Sequence, residues 1–546
     1  MKILIEDEDY PIYLLKNLFD EKLLYIDNGE LGRLKCTGFY HSVEKKEFII
    51  ILPKVFMRNH NLTVFDIDLE SLAKDSSSFF SENNRWLNDF SIFYYKSLIE
   101  YKNRVSHTYL LSDNQTFNIT TNIESFEYCY LQLILQIINT FKKSEYQHFF
   151  KRAVLRKGSI KNINWNKTLK KEIPIILNNK TAFYPDFSLS KKTKNNDEEL
   201  MIYFLSIVNF INKEYKFNLK VESHYPLLIN EKFDSFVYSG LSKLKKIKYR
   251  YYSDTHKHMY YLCEQFLVKL NESGIGKDRN EFLLVNNFNL LFEDMIDKLV
   301  SDSSDNSIDK NLKFNKDGKI IDHIFKFKSL LDPNKKIYYI GDSKYYKTQN
   351  FASEQSKYKQ ITYAKNIIQY NIDLKKKNKL NVDLKYRDDL TEGYDITPNF
   401  FIYGYIRDFK NFDNSLIKVK TEIFESNHFS QRLFDRDTLY VHQYKINFLF
   451  VLKSYTTMPS LSIKDFKAEI HCEIRKNFVN YFNSKSKYKF YHICNSLETE
   501  DFVKKDFYRL NGKIYRLSTG SFILAKHIED TSIVDILDKF NKYELY

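Results

Sequence analysis

Residues 320–347 read IIDHIFKFKSLLDPNKKIYYIGDSKYYK. Two apolar-rich runs flank the turn Asp332-Pro333-Asn334, a pattern that predicts two adjacent strands. The first run carries Asp322 directly after Ile320 and Ile321. The second, Ile337 to Ile340, leads through Gly341 to Asp342, Ser343 and Lys344. Side chains alternate between the faces of a strand, so Asp342 and Lys344 share one face. Pairing of the two strands would bring Asp322 to that face too. Two carboxylates and an ammonium at one strand end make an oxygen-rich site of the kind that holds Mg²⁺. A metal there would activate water and stabilise charge building on a phosphate. The lysine would orient that water or face the phosphate as a fixed cation.

The triplet Asp-x-Lys is common in a lysine-rich chain. Others begin at Asp20, Asp373, Asp383, Asp408 and Asp465, and charge runs usually coat solvated faces. Three features single out Asp342: an apolar strand leading into it, Asp322 upstream, and Glu293 on a predicted helix, NLLFEDMIDKLV. Asp408, in FIYGYIRDFK, is the rival. It follows a strand and has Asp395 upstream, but no acidic helix comparable to that of Glu293. Beyond Lys344, SEQSKYKQITYAKNIIQYN predicts a helix with Gln360 and Tyr363 on neighbouring turns.

The order acidic helix, Asp, strand, Asp-x-Lys, helix resembles the PD-(D/E)XK nuclease core. The strings IGDSKYYK and RLFDRDTLYVHQYKINFLFVL resemble the LlaJI family of restriction endonucleases, relatives of McrC, the nuclease subunit of McrBC-type systems. Weaker echoes lie in GFYHSVEKKEFIIILPK and GSIKNINWNKTLKK. The resemblance implies Glu293, Asp322 and Asp342 around Mg²⁺, Lys344 assisting the water, and Gln360 lending a polar group to the site. It also implies double-stranded DNA as substrate and an McrB-like AAA+ NTPase as partner, docked on the N-terminal part. Two departures stand out: Asp342 occupies a position where Glu is common, and the gap between Asp322 and Asp342 is long.

Composition bounds the rest. At 546 residues the chain predicts two or more domains. A hydrophobic content of 43% is enough for buried cores, and few Gly (13) and Pro (8) argue against a disordered chain. The excess of 84 basic over 70 acidic residues, +14, suits a phosphate-binding protein without requiring one. Five scattered cysteines (Cys36, Cys129, Cys263, Cys472 and Cys494) offer neither zinc spacing nor a disulfide framework, which predicts a reduced, cytoplasmic setting. MKILIEDEDY lacks the apolar stretch of a signal peptide, and no apolar run reaches the ~18 residues of a membrane helix. No Walker-type Gly-x-x-x-x-Gly-Lys occurs, so no nucleotide site is expected in this chain.

The expected architecture is multidomain, α+β and α/β. A β-rich N-terminal part and a helical middle, residues 1–250, precede a C-terminal mixed sheet flanked by helices, 251–546. Residues 1 to about 80 read as short strands, 85–145 as helices and 150–190 as strands. The last carry a basic face of Lys151, Arg152, Arg156, Lys157, Lys161, Lys167, Lys170 and Lys171 around Trp165. Residues 200–275 read as helical, with the densest basic cluster at Lys243, Lys245, Lys246, Lys248 and Arg250, either a phosphate-contacting surface or a plain exposed helix. NFFIYGYIRDF, KINFLFVL and KIYRLSTG read as strands before a terminal helix. His323 falls on the face opposite Asp322, His442 has no evident partner, and Asp435 and Asp437 suit ion pairs with Arg432 and Arg436. Two other readings stand beside the nuclease: a non-catalytic adaptor binding an NTPase and nucleic acid, and a nuclease acting on RNA. In the adaptor, Asp322, Asp342 and Lys344 need not converge.

Overall fold

The computed structural model describes residues 2–19, 24–27, 30–42, 47–104, 130–144, 150–155, 163–194, 198–215, 225–273, 281–302, 321–347, 353–377 and 383–546, apart from short gaps inside these ranges and isolated positions between them. Cys129, Ile320, Arg156, Lys157 and Lys161, the start of the helix expected at IESFEYC and most of SDSSDNSIDK lie outside the described residues. The chain is multidomain, of mixed helix and sheet.

The N-terminal sheet contains β1 (Lys2–Ile5), β2 (Cys36–Ser42), β3 (Glu47–Leu52) and β4 (Glu281–Asn286), in the order β1-β3-β2-β4. β1 runs parallel to β3, and the other pairs are antiparallel. The sheet therefore draws on both sides of residue 250. Gly38 permits the close approach of β4: its φ is +132°, and a Cβ there would lie 2.0 Å from the Leu283 carbonyl oxygen.

Between β3 and β4 the described residues include five long helices: α1 (Ser77–Arg104), α2 (Tyr130–Ser144), α3 (Glu199–Tyr215), α4 (Glu231–Ile247) and α5 (Asp254–Ser273). The strands expected over 150–190 are only partly present. Phe150–Leu155 pairs with Leu189–Lys194, but Trp165–Lys171 is helical. Asn164 explains the difference: its side chain accepts the Lys167 N–H at 3.3 Å and caps a helix.

The central sheet holds β5 (His323–Lys328), β6 (Lys336–Lys344), β7 (Pro398–Tyr405), β8 (Lys418–Val419), β9 (Phe424–Ser426) and β10 (Leu439–Asn447). Its order is β5-β6-β7-β10-β8, with β9 also on β10. β6, β7 and β10 are parallel neighbours, and β5 is antiparallel to β6. Such parallel strands read as continuous apolar runs because both faces are covered; β7 is buried throughout. One face receives α6 (Phe288–Val300), whose Phe288 and Phe292 pack on Tyr345. Helix α7 (Glu354–Lys376) packs against β6 through Gln360. KINFLFVL is a strand only to Asn447. Asn447 accepts the Leu449 N–H at 3.1 Å and starts α8 (Phe448–Thr457), followed by α9 (Ser460–Ser484). A last sheet contains β11 (Tyr488–Ile493), β12 (Ile514–Arg516), β13 (Phe522–His527) and β14 (Asn541–Tyr543). The terminal helix is a short 3-10 segment, Val534–Lys539. One apolar core runs from Ile3 to Leu545. It includes an aromatic cluster of Phe56, Phe65, Trp86, Phe90 and Phe448 that ties the N-terminal part to α1 and α8.

Candidate active site

The β5–β6 register sets His323 opposite Gly341. One step further, where β5 begins, Asp322 faces Asp342. Neither carboxylate sits there cheaply. Asp342 is buried at 5% exposure. The Asp322 carboxyl is pushed up to about 9, first by burial, then by its hydrogen bond to Asp342 and the charges of Asp342 and Glu293, with Lys359 opposing. Like charges in a desolvated site share a proton rather than ionise together. Lys344 supplies the local cation: its Nζ is ion-paired with Asp342 Oδ2 and lies 5.3 Å from the centre of the Phe401 ring.

Gly341 keeps Asp342 in place. A Cβ at that position would stand 2.1 Å from the Phe400 ring on the neighbouring strand. Only a residue without a side chain lets β6 and β7 close at this point, so the chain enters the site with no room to slide.

The other expected residues stand differently. Glu293, on α6, is near enough to respond to the site's charges. Its pKa is raised by burial and by Asp342, and held back by His323, an Asn289 hydrogen bond and Lys344. Yet among the described residues no three His, Cys, Asp or Glu side chains are gathered tightly enough to hold a metal ion. The two aspartates are together and Glu293 stands off. Gln360 is fully buried; its Nε2 donates to the Ile340 carbonyl at 2.9 Å and to Asn399 Oδ1 at 3.4 Å. Its amide braces β6 to β7 from beneath, and its Oε1 has no hydrogen-bond partner. His323 lies fully buried with Nδ1 3.7 Å from Asp297 Oδ1 on α6. Asp408 is exposed in a turn past the end of β7, where it accepts the Lys410 N–H at 2.9 Å. Asp395 is buried elsewhere, accepting from Ser329 at 2.7 Å. Asp437 pairs with Lys365 of α7 at 2.7 Å and more loosely with Arg436 at 3.8 Å. His442 packs against Phe478, and burial lowers its pKa to about 3.

The sequence reading missed one residue. Lys359, adjacent to Gln360 on α7, has its pKa raised. Burial works against the shift; its hydrogen bond to Tyr363 and the charges of Tyr363, Asp322 and Asp342 outweigh it. This exposed lysine brings a second cation to the carboxylate pair. The only signal was its place on the helix that follows Asp-x-Lys.

A second acidic group holds the exit of β6. Tyr345 donates its hydroxyl to Glu6 Oε2, and the Tyr345 hydroxyl oxygen accepts the Lys54 N–H at 3.1 Å. Lys347 pairs with Glu8 at 2.7 Å. The turn after β1 thus clamps the strand immediately beyond Lys344.

The chain is similar to a chain of the Thermococcus gammatolerans McrBC assembly. One solved structure, a half-complex from a tetradecameric assembly of McrB AAA+ hexamers with bound McrC, matches at 11% identity and a TM-score of 0.29, over 86% of this chain and 99% of that one. The cryo-EM structure of the McrBC complex from the same organism matches at 11% identity and a TM-score of 0.17, over 54% and 85%. No family model and no curated protein matches. At these scores neither similarity bears on the chemistry of the site. No described helix is long and apolar enough to cross a membrane.

Proposed function

We propose that this chain is the Mg²⁺-dependent endonuclease subunit of a restriction system, cutting double-stranded DNA alongside an McrB-like AAA+ NTPase. One observation supports this reading above the rest: Asp322 and Asp342 face each other across β5 and β6, with Lys344 paired to Asp342. The partner rests on the sequence resemblance; with no Walker motif in this sequence, any NTP hydrolysis the system needs falls to another chain. The chain order α6, β5, β6, α7 supports the reading, being the order that the sequence resemblance implies.

The donor set suits a hard cation. The two facing carboxyls present oxygen atoms to one point, and a divalent ion can replace the proton that burial and its neighbours' charges hold on Asp322. Asp322 and Asp342 would hold it, and Glu293 would act from further out. Mg²⁺ readily keeps water and phosphate oxygens in its remaining positions, so two protein carboxylates suffice. When bound, the ion polarises a phosphate oxygen and lowers the pKa of a coordinated water. Lys344 keeps a fixed positive charge beside Asp342, able to orient the attacking water and to face the negative charge that grows on phosphorus. Lys359 adds a solvent-side cation for an approaching phosphate. Gln360 acts indirectly, by fixing β6 against β7. Lys243, Lys245, Lys246 and Lys248 form an exposed basic surface available to phosphates, and Arg250 beside them is paired with Glu199.

The test is plasmid cleavage by the purified chain with its NTPase partner. Cleavage is expected with Mg²⁺ and is abolished by EDTA. Asp342→Asn and Lys344→Gln should fold and leave partner NTP hydrolysis intact while losing ~10²-fold or more in cleavage. Full cleavage by both variants would overturn the nuclease and leave the non-catalytic adaptor.

A further inference from the structure

The segment from α4 to Tyr252 carries an outward ridge of cations and aromatic rings. Tyr249 and Tyr252 are each 84% exposed and Tyr238 is 78% exposed. These are large rings for which the fold provides no cover. On α4, Tyr238, Ser242 and Lys245 recur at four- and three-residue spacing and so share a face, with Lys246 beside them. The helix ends at Ile247, and a 3-10 turn, Lys248–Arg250, carries the ridge on to Tyr249. From Tyr238 to Lys248 the rise is ~15 Å.

The opposite side of the same segment is anchored. Phe233, Phe236, Val237, Leu244 and Ile247 are buried. Arg250 is paired with Glu199 at 3.1 Å, and Tyr251 donates to Glu198, so these two acids of α3 are engaged. Among the described residues Lys243, Lys245, Lys246 and Lys248 make no ion pair. The ridge is therefore anchored along its buried side, carries four lysines without an ion pair among the described residues, and is tipped with rings.

We infer that this ridge binds unpaired nucleic acid, its tyrosines stacking on bases and its lysines following the phosphates. Charge complementarity calls for a polyanion. The rings choose among polyanions: a base-paired duplex stacks its bases on one another and leaves no ring face at its side, whereas an unpaired strand offers one per nucleotide. Aromatic platforms between basic side chains are the usual means of holding single strands. The inference rests on the nucleic-acid part of the proposed function and deepens it by naming the form of strand that this ridge holds. It is tested by binding alone, so it stands or falls apart from cleavage.

The experiment is fluorescence anisotropy with a labelled oligothymidine and with a blunt duplex of equal length, in EDTA and over a range of salt. The single strand should bind more tightly. Tyr249→Ala and Tyr252→Ala should each weaken single-strand binding by about tenfold and leave duplex binding unchanged. Tyr249→Phe, which keeps the ring, should bind as the parent does. Lys245→Gln and Lys246→Gln should each flatten the slope of log affinity against log salt by about 0.7. The side chains replaced are exposed, so the variants should keep the parent's circular dichroism. Equal binding of strand and duplex, no binding of either, or indifference to the loss of both rings would overturn the inference.

Discussion

Replacing Asp322 by asparagine should stabilise the protein, and by more as pH rises. In the fold the Asp322 carboxyl is raised to about 9 by burial, then by Asp342 and Glu293. In the unfolded chain it titrates near ~3.9. Between those values the folded protein holds a proton that the unfolded chain has released. The stability of the fold is therefore fully present below about pH 4 and declines as pH rises toward 9. One such proton is worth about 1.4 kcal/mol per pH unit, or about 3 kcal/mol between about pH 6 and about pH 8. Asp322 is not wholly buried, and solvent screening narrows the loss to ~1–3 kcal/mol. Asparagine has the same shape, and its amide can donate to Asp342 as the protonated acid does, but it does not titrate. Urea midpoints, followed by circular dichroism across that pH range, should fall more steeply for the parent than for Asp322→Asn, which keeps the other raised carboxyls such as Asp395, the two converging in acid. Parallel curves would show that the Asp322 carboxyl is not held protonated in the fold and would overturn this account of the pair.

Three further outcomes are expected. Gly341→Ala drives a methyl into the Phe400 ring and should cost ~1–3 kcal/mol or more, read as a lowered thermal midpoint. Tyr345→Phe keeps the ring on Phe288 but removes the hydroxyl shared by Glu6 and the Lys54 N–H; it should cost ~1–3 kcal/mol because Glu6 stays buried with a lost donor, and an unchanged urea midpoint would refute that account. Asp408→Ala removes only an exposed turn contact and should shift stability by ~0.5 kcal/mol or less with cleavage retained; cleavage lost here but kept in Asp342→Ala would place the site on the wrong strand.

What could be read in advance follows from the range of each interaction. Asp342 and Lys344 were legible because strand alternation is local, and the turn at Asp332-Pro333-Asn334 made β5 and β6 neighbours. That pairing also places Asp322 opposite Asp342. Glu293 was legible as a helix residue, but its distance from the aspartates depends on how α6 packs, which no local pattern encodes. Gln360 was placed on the correct helix; which way its amide turned was settled by the Ile340 carbonyl and Asn399. FLFVL misled because a short apolar run serves a buried strand and a buried helix equally, and the deciding signal was the single cap at Asn447. Asn164 plays the same part before Trp165–Lys171. The β4 strand was invisible, since its partner β2 lies far earlier in the chain.

That last pairing bears on how the protein is made. On the ribosome β1, β2 and β3 emerge early, but the open side of β2 waits for Glu281–Asn286. Throughout that interval it presents unpaired backbone groups, the feature by which nascent sheets recruit wrong strands. A fragment ending before residue 281 keeps that exposure permanently and should aggregate. One extended past residue 286 closes the sheet, so expression trials of the N-terminal part belong on the far side of β4.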